Sequence, residues 1–135
     1  MTKAYIAVSY SKRNLYEPVL LAIAGVLGNA GINAFVFADE YTFTEQQEST
    51  MMLQVMKDTD DCDLLIAETS DKAIGIGVEA GYAKAKNKPV IYLRQQNAAH
   101  AATVAGISDF QVIYNGTDDL QDQLSAVLIK LLHRS

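Results

Sequence analysis

The chain has 135 residues, of which 50% are hydrophobic and 20% are charged, the composition of a soluble globular domain rather than of a disordered segment. Its 11 basic and 16 acidic residues give a net charge of −5, which excludes polymeric nucleic acid as an expected partner because an acidic surface repels a phosphate backbone. One cysteine, Cys62, and two histidines, 33 residues apart, offer neither an internal disulfide nor a zinc-ligand spacing. We therefore expect one domain over residues 1–135 without a metal.

Five short runs rich in Val, Ile, Leu, Tyr and Phe alternate with helical patterns along the chain. Such runs are typical of strands that are buried on both faces of a parallel sheet. The predicted strands are residues 4–9, 32–37, 63–68, 89–93 and 110–114. Because right-handed crossovers put helices on both faces of the sheet, the alternation predicts an α/β three-layer sandwich, flavodoxin-like, with five parallel strands in the order 2-1-3-4-5.

The segment between the first two predicted strands is expected to form a helix. Apolar residues recur there at helical spacing: Val19, Ile23, Val26 and Ala30. Gly31 follows as the predicted C-terminal cap, a position that favours glycine. Thr44 and Gln47 have the spacing of a capping box, which predicts that a second helix starts just before the apolar positions Met52, Val55 and Met56.

Three further helices are predicted in the second half of the chain. Gly77, Gly81 and Ala85 recur every four residues, which predicts a helix with a smooth face packed against the sheet. Residues 98–105 are expected to form a short helix. The last helix is amphipathic, with Thr117 as its expected N-cap and these apolar positions: Leu120, Leu124, Val127, Leu128 and Leu131.

The first residues and the cysteine content predict a cytoplasmic protein that does not associate with a membrane. The apolar run at residues 4–9 is too short for a signal sequence or a membrane-spanning helix. A single cysteine fits a reducing compartment.

In an open parallel sheet, ligands bind beyond the carboxyl ends of the strands. The loop at residues 69–77 lies there and contains Gly75 and Gly77, which allow a close approach of backbone to ligand. The pattern Gly75-x-Gly77-x-x-Ala80 formally fits a dinucleotide fingerprint. It follows the third strand, however, and no acidic residue closes the next strand, so the sequence does not predict a classical NAD site.

Glu79 is expected in the first turn of the helix that follows this loop. There the helix dipole would keep its carboxyl group ionised at neutral pH, and an ionised, positioned carboxylate is a competent nucleophile toward an anomeric carbon. A glutamate in a first turn is also common as compensation for the helix dipole alone, so position does not decide between the two roles.

Three segments together resemble the signature region of the nucleoside 2-deoxyribosyltransferase superfamily. They are Asp63-Leu-Leu-Ile-Ala-Glu68, Gly75-Ile-Gly-Val-Glu-Ala-Gly-Tyr-Ala83 and Asn87-Lys-Pro-Val-Ile-Tyr-Leu93. The similarity is greatest to the 2′-deoxynucleoside 5′-phosphate N-hydrolase branch. It extends to Tyr5-Ile-Ala-Val-Ser9 in the first strand and to Phe110-Gln-Val112 in the last.

The resemblance implies that Glu79 attacks C1′ of the sugar and releases the base, with Tyr5 close to it. It implies that Ser9 and Ser11 lie in a loop that holds a 5′-phosphate, where Lys12 adds positive charge, as does Arg13. The expected substrate-binding residues are Ser9, Ser11, Lys12, Asp71, Gly75 and Gly77. On this basis monophosphates are expected to bind more tightly than nucleosides, and no cofactor is expected.

Three positions differ from the family pattern. Ala73 replaces an Asp or Ser that holds a sugar hydroxyl, Val55 replaces an aspartate that assists at the base, and Ala101 lies near a serine position of the neighbouring subunit. The candidates to replace these groups are Asp58, Asp71 and Thr69.

The function that the resemblance implies is cleavage or transfer of the N-glycosidic bond of a nucleoside or its 5′-monophosphate. The alternatives are a nucleotide-binding module without turnover and a flavodoxin-like interaction protein.

Two further features bear on ligands and partners. Tyr41 and Phe43 could stack on a nucleobase or form a hydrophobic staple around the Thr44 cap.

Met51 is expected to point away from the sheet if Met52 and Met56 face it, which leaves apolar surface for a partner. Together with the alanine-rich residues 98–105, this surface predicts a homodimer or higher homo-oligomer.

Overall fold

A computed structural model describes residues 1–134. Five parallel strands form one sheet in the order β2-β1-β3-β4-β5, which confirms the predicted topology. The strands are β1 (Lys3–Ala7), β2 (Asn33–Val36), β3 (Leu64–Glu68), β4 (Val90–Gln95) and β5 (Phe110–Tyr114). Within residues 1–134, no helix combines the length and the apolar character needed to cross a membrane.

In the part of the chain that the structure describes, six α-helices connect and cover the strands. They are α1 (Glu17–Asn29), α2 (Phe37–Glu40), α3 (Glu48–Asp60), α4 (Ile74–Ala85), α5 (Ala102–Ile107) and α6 (Gly116–Leu132). Helices α1 and α6 pack against each other on one face of the sheet, whereas α4 packs against β3 and contacts both α3 and α5 on the other face. The predicted three-layer arrangement is confirmed.

The alternation of side chains along each strand divides the core in two. Ile6 in β1 and Ile66 in β3 are paired in register and face α1 and α6, whereas Tyr5 and Leu65, paired one position earlier, face α3 and α4. Every residue of β3 is buried, as the central strand of a parallel sheet requires. The Tyr5 side chain thereby lies beneath α4.

Two of the predicted helix ends are confirmed. Gly31 has a φ of +74°, a backbone conformation open to glycine, and Ile32 N–H donates to the Leu27 carbonyl at 2.9 Å to close the end of α1. At the other site, Gln47 Oε1 accepts a hydrogen bond from Thr44 N–H at 2.8 Å. This bond starts a short 3-10 turn, Glu45–Gln47, which continues into α3.

Two other predicted helix starts are wrong. The helix expected from residue 98 starts at Ala102. The chain turns before it, where Ala98 N–H donates to the Gln95 carbonyl and Arg94 Nη1 donates to the Ala98 carbonyl at 2.8 Å. Thr117 lies inside α6 rather than at its N-cap. The helix starts at Gly116, and Asp119 Oδ2 accepts a hydrogen bond from Asn115 N–H at 2.8 Å.

The prediction that Gly77, Gly81 and Ala85 form the packing face of α4 is also wrong. Ala85 is exposed, and a Cβ added at Gly77 or Gly81 would meet no other atom within 4 Å. The buried face of α4 consists instead of Ile76, Ala80 and Ala83. Small residues therefore do allow close packing of α4, but one helical position away from the predicted stripe.

Candidate functional site

A hydrogen bond between Tyr5 and Glu79 lies at the carboxyl edge of the sheet. The Tyr5 side chain is fully buried in β1, and its hydroxyl donates to Glu79 Oε2. Glu79 is the sixth residue of α4, so it belongs to the second turn and the prediction of a first-turn position is wrong. The strand and the helix thus bring together two residues that are 74 positions apart.

The charge state of Glu79 depends on burial rather than on the helix dipole. Burial raises the pKa of Glu79 to about 7, and the hydrogen bond from Tyr5 lowers it in part. The expectation that the dipole keeps this carboxyl group fully ionised is therefore wrong. Burial and the nearby Glu79 carboxylate raise the pKa of Tyr5 far above its usual value of 10.0, so the phenol keeps its proton and remains the donor.

Glu79 opens into a cavity of about 180 Å³, which is smaller than the roughly 300–1,000 Å³ of typical ligand pockets. Its walls are Ile6, Val8, Tyr10, Phe37, Ala38, Met51, Met52, Val55, Ala73, Gly75, Ile76 and Glu79. A Cβ at Gly75 would lie 3.9 Å from Glu79 Oε1, so glycine leaves this oxygen accessible. Glu79 is the one charged residue among the lining residues found in the described part of the chain, and the size of the cavity fits part of a nucleoside.

Val55 and Ala73 both line this cavity, so the two departures from the family pattern lie beside Glu79. The three candidate replacements are absent from the cavity wall formed by residues 1–134. Asp58 Oδ1 accepts from Gln54 Nε2 at 3.0 Å, and Thr69 Oγ1 donates to the Leu93 carbonyl at 2.9 Å. The apolar character of the wall is therefore not compensated by these side chains.

The loop after β1 lies next to this cavity. Ser9 is buried, and its carbonyl accepts from Lys12 N–H at 3.2 Å. Ser11 and Arg13 line a separate pocket of about 410 Å³, and the Lys12 side chain is exposed. Arg13 is hydrogen-bonded to two carboxylates, so its positive charge is already compensated.

Asp71 and Gly77 lie on the opposite side of the cavity. They line a groove of about 710 Å³ between the start of α4 and α5, which also includes His100 and Thr103. Ala73 and Ile76 line both the groove and the Glu79 cavity. The structure thus distributes five of the predicted site residues over three adjoining spaces, with Glu79 and Gly75 in the middle one, whereas Tyr5, Ser9 and Lys12 line none of the three.

Sequence reasoning missed a buried polar cluster at the end of β3. Glu68 is buried, accepts a hydrogen bond from Tyr114 O–H at 2.5 Å and accepts another from Ser70 N–H at 2.5 Å. Ser70 Oγ in turn accepts from Gln95 N–H at 2.8 Å. A glutamate that ends an otherwise apolar strand was the available signal.

Tyr41 and Phe43 belong to an aromatic cluster with Phe37, an arrangement that neither of the two predicted roles describes. Their ring centroids lie 5.6 Å apart, and both pack on Phe37, at 5.1 Å for Tyr41 and 6.1 Å for Phe43. Phe37 in turn packs on Tyr5, with centroids 6.1 Å apart. These aromatic rings stabilise the wall beside Tyr5 by their mutual contacts.

The fold and the site together define an α/β protein with a tyrosine–glutamate pair at the carboxyl edge of its sheet. No family model matches the sequence, and no curated protein matches it. Solved structures, in contrast, are similar along most of the chain.

A CMP N-glycosidase from Clostridium botulinum has a TM-score of 0.66 at 19% identity, over 93% of this chain and 99% of the other. A 2-deoxyribosyltransferase from Bacillus psychrosaccharolyticus has a TM-score of 0.68 at 15% identity, over 90% and 91% of the two chains. A 2-desoxiribosyltransferase from Leishmania mexicana has a TM-score of 0.63 at 15% identity, over 100% of both. At these identities the likeness establishes a shared fold, and it confirms at that level the resemblance found in the sequence.

Proposed function

We propose that this chain cleaves or transfers the N-glycosidic bond of a nucleoside or nucleoside 5′-monophosphate, with Glu79 as the nucleophile. The observation that carries the proposal is the hydrogen bond from Tyr5 to Glu79 within a cavity at the carboxyl edge of the sheet. The fold shared with a CMP N-glycosidase and 2-deoxyribosyltransferases supports the same class of chemistry.

In the proposed reaction, the ionised carboxylate of Glu79 attacks C1′ of the sugar. A C–O bond forms, and the C–N bond breaks with its electron pair leaving on the base, which takes up a proton from solvent. Water or a second base then attacks C1′, loses a proton to solvent, and releases Glu79 as the carboxylate as the C–O bond to Glu79 breaks. Tyr5 is the positioning residue: it holds Oε2, so Oε1, beside Gly75, is the oxygen available for attack.

The three adjoining spaces suggest where the sugar, the 5′ end and the base of the substrate bind. The sugar would occupy the Glu79 cavity, and the 5′ end would point past Tyr10 toward Ser9, Ser11 and Lys12. The base would extend past Ala73 into the groove that includes Asp71 and Gly77. The shared lining residues support this arrangement, because Tyr10 joins the cavity to the first pocket and Ala73 joins it to the groove.

The test is incubation with a panel of nucleosides and their monophosphates, with the release of free base followed by chromatography. Glu79→Ala is expected to reduce base release to background while the far-UV circular dichroism spectrum and the urea midpoint show a folded protein. Glu45→Ala removes an exposed glutamate from the turn before α3 and is the matched control, expected to retain wild-type release. Wild-type turnover by Glu79→Ala would exclude the nucleophile assignment.

A nucleotide-binding module without turnover is the second candidate. It is favoured by the apolar side chains of Val55 and Ala73 beside Glu79, because removal of acid or base partners costs about 10²–10⁴ in rate. Calorimetric binding of a nucleoside without release of base over hours would support this candidate. We place either function in the cytoplasm, in keeping with the single, buried Cys62.

A further inference from the structure

The pocket next to the Glu79 cavity has a charge pattern that bears on the substrate. Its lining residues are Tyr10, Ser11, Arg13, Asn14, Glu17, Ala38 and Asp39. Tyr10 and Ala38 also line the Glu79 cavity, so the two spaces adjoin. If the sugar occupies the cavity as proposed above, this pocket faces the 5′ end of that sugar.

Arg13 is the cation of this pocket, and its guanidinium group is already engaged. Its Nη2 donates to Asp39 Oδ2 at 2.8 Å and its Nε donates to Asp39 Oδ1, a bidentate pair. Its Nη1 donates to Glu17 Oε2, one helical turn further along the chain. Only 19% of the Arg13 side chain is exposed, so the group is held in place by both carboxylates.

The remaining charge of the pocket is negative. Within residues 1–134, its charged lining side chains are one arginine and two carboxylates, and Lys12 is exposed and does not line it. A phosphate monoester carries about −1.5 to −2 charges at neutral pH. It would have to displace Asp39 from a bidentate pair and would then face two carboxylates at short range, both unfavourable.

A 5′-hydroxyl meets no such cost. It can donate to a carboxylate oxygen of Asp39 or Glu17 and can exchange hydrogen bonds with Ser11 or Asn14, which are neutral. The pocket therefore presents acceptors for a hydroxyl proton, but it lacks an uncompensated cation for a phosphate.

We infer that Arg13, Asp39 and Glu17 make the site selective for a nucleoside with a free 5′-hydroxyl over the corresponding 5′-monophosphate. This inference rests on the proposed function and narrows it to one class of substrate. It reverses the expectation drawn from the basic residues of the loop, because the tertiary structure pairs Arg13 with two acids that the loop itself does not contain.

The experiment compares kcat/KM for one 2′-deoxynucleoside and its 5′-monophosphate, with the same base, in the wild-type protein. The nucleoside is expected to be favoured by about tenfold or more at low salt. The preference should decrease at about 0.5 M salt, because screening weakens repulsion between partly exposed charges.

Asp39→Asn and Glu17→Gln are the informative variants, because each removes one carboxylate from Arg13. In each, the ratio of nucleoside to monophosphate kcat/KM is expected to fall about fivefold or more. Asp61→Asn makes the same change in net charge at an exposed position near the opposite edge of the sheet and should leave the ratio as in the wild type. Because two variants are measured, the test remains valid if one of them does not fold.

The outcomes separate this inference from the proposed function. Base release from both substrates with no preference, or with a preference for the monophosphate, overturns the selectivity while the proposed function stands. Absence of base release from either substrate contradicts the proposed function. The selectivity is then decided by calorimetry with the same two ligands, where equal affinities or tighter binding of the monophosphate would overturn it.

Discussion

The protonation of Glu79 is determined by its protein environment rather than by solvent. Burial disfavours the charged carboxylate and raises its pKa to about 7, while the Tyr5 hydroxyl favours the charged form and offsets part of that effect. At neutral pH the site therefore contains both forms in comparable amounts. A nucleophile must be ionised, so the Tyr5 hydrogen bond should control how much active protein is present at a given pH.

Tyr5→Phe is expected to move the pH profile of base release. In the wild type, kcat/KM should rise with pH through an apparent pKa near 7. Loss of the hydrogen bond removes stabilisation of the carboxylate and should raise this apparent pKa by about one to two units, because a hydrogen bond to a charged group contributes roughly 1.5–3 kcal/mol. Tyr82→Phe, which removes a hydrogen bond to Asp60 on another side of α4, is the control, and an unchanged profile in Tyr5→Phe would contradict the assigned role.

Glu79→Gln is expected to change how stability depends on pH. The pKa of this carboxyl group is about 7 in the folded protein, against an ordinary value of 4.5 that applies to the unfolded chain, so the folded state binds more protons between these pH values. The contribution of Glu79 to the free energy of unfolding therefore falls as pH rises from about 4.5 to about 7 and stays low above that.

The glutamine variant does not titrate at this position. It should be more stable than the wild type at pH 8 by about 1–3 kcal/mol, and the difference should largely disappear by pH 4.5. Urea unfolding at a series of pH values measures this. Parallel curves of unfolding free energy against pH for the two proteins would show that the pKa of Glu79 is the same in the folded and unfolded states.

The carboxyl end of β3 is the element that leads into the candidate site. Glu68 is linked there to β5 through Tyr114 and to the following loop through Ser70 N–H. Burial raises the pKa of Glu68, while the hydrogen bonds from Ser70 and Tyr114 lower it in part. These bonds hold the segment between β3 and α4, which includes Ala73 in the wall of the Glu79 cavity.

Tyr114→Phe is expected to destabilise the fold by about 1–3 kcal/mol. The change leaves one oxygen of the buried Glu68 carboxyl group without its donor, and an unsatisfied buried acceptor carries that cost. The urea midpoint at neutral pH measures the effect. Tyr82→Phe removes a more exposed hydrogen bond to Asp60 and should cost well under 1 kcal/mol, so equal losses in the two variants would contradict a special role for the Glu68 cluster.

At the scale of the whole molecule, the exposed apolar surface differs from the one predicted. Met51 and Met52 both line the Glu79 cavity, so the expectation that Met51 points elsewhere is wrong. The exposed apolar residues near the site include two on α4, where Ile74 is 90% exposed and Val78 is 48% exposed. Both line the groove that continues to Ala101. Exposed apolar residues that border a groove are typical of an interaction surface.

We expect a homodimer that covers this groove. Light scattering at micromolar concentration should give a mass near twice 14.7 kDa, and an interface of roughly 1,500 Å² is needed for stable association. Ile74→Glu should shift the protein to monomer. Ile129→Glu changes an equally apolar, exposed residue of α6 and should leave the dimer intact. A strictly monomeric wild type would contradict a site that a neighbouring subunit completes and would favour the flavodoxin-like interaction protein.

The order of the strands in the sheet could be predicted from local patterns, because five apolar β-rich runs separated by helical patterns have few compatible right-handed topologies. The Gly31 and Thr44 helix ends could be predicted in the same way, because local backbone chemistry dominates there. Glu79 and Tyr5 were identified through the resemblance of their segments to a known family.

The protonation of Glu79 and the charge compensation of Arg13 depend instead on contacts between distant parts of the chain. The raised pKa of Glu79 comes from burial beneath neighbouring elements, and the compensation of Arg13 comes from Asp39, which lies 26 residues away in the chain. Whether a small-residue stripe faces the sheet depends on the rotation of α4 over β3. These properties arise from long-range packing, and periodicity and spacing within a segment do not encode them.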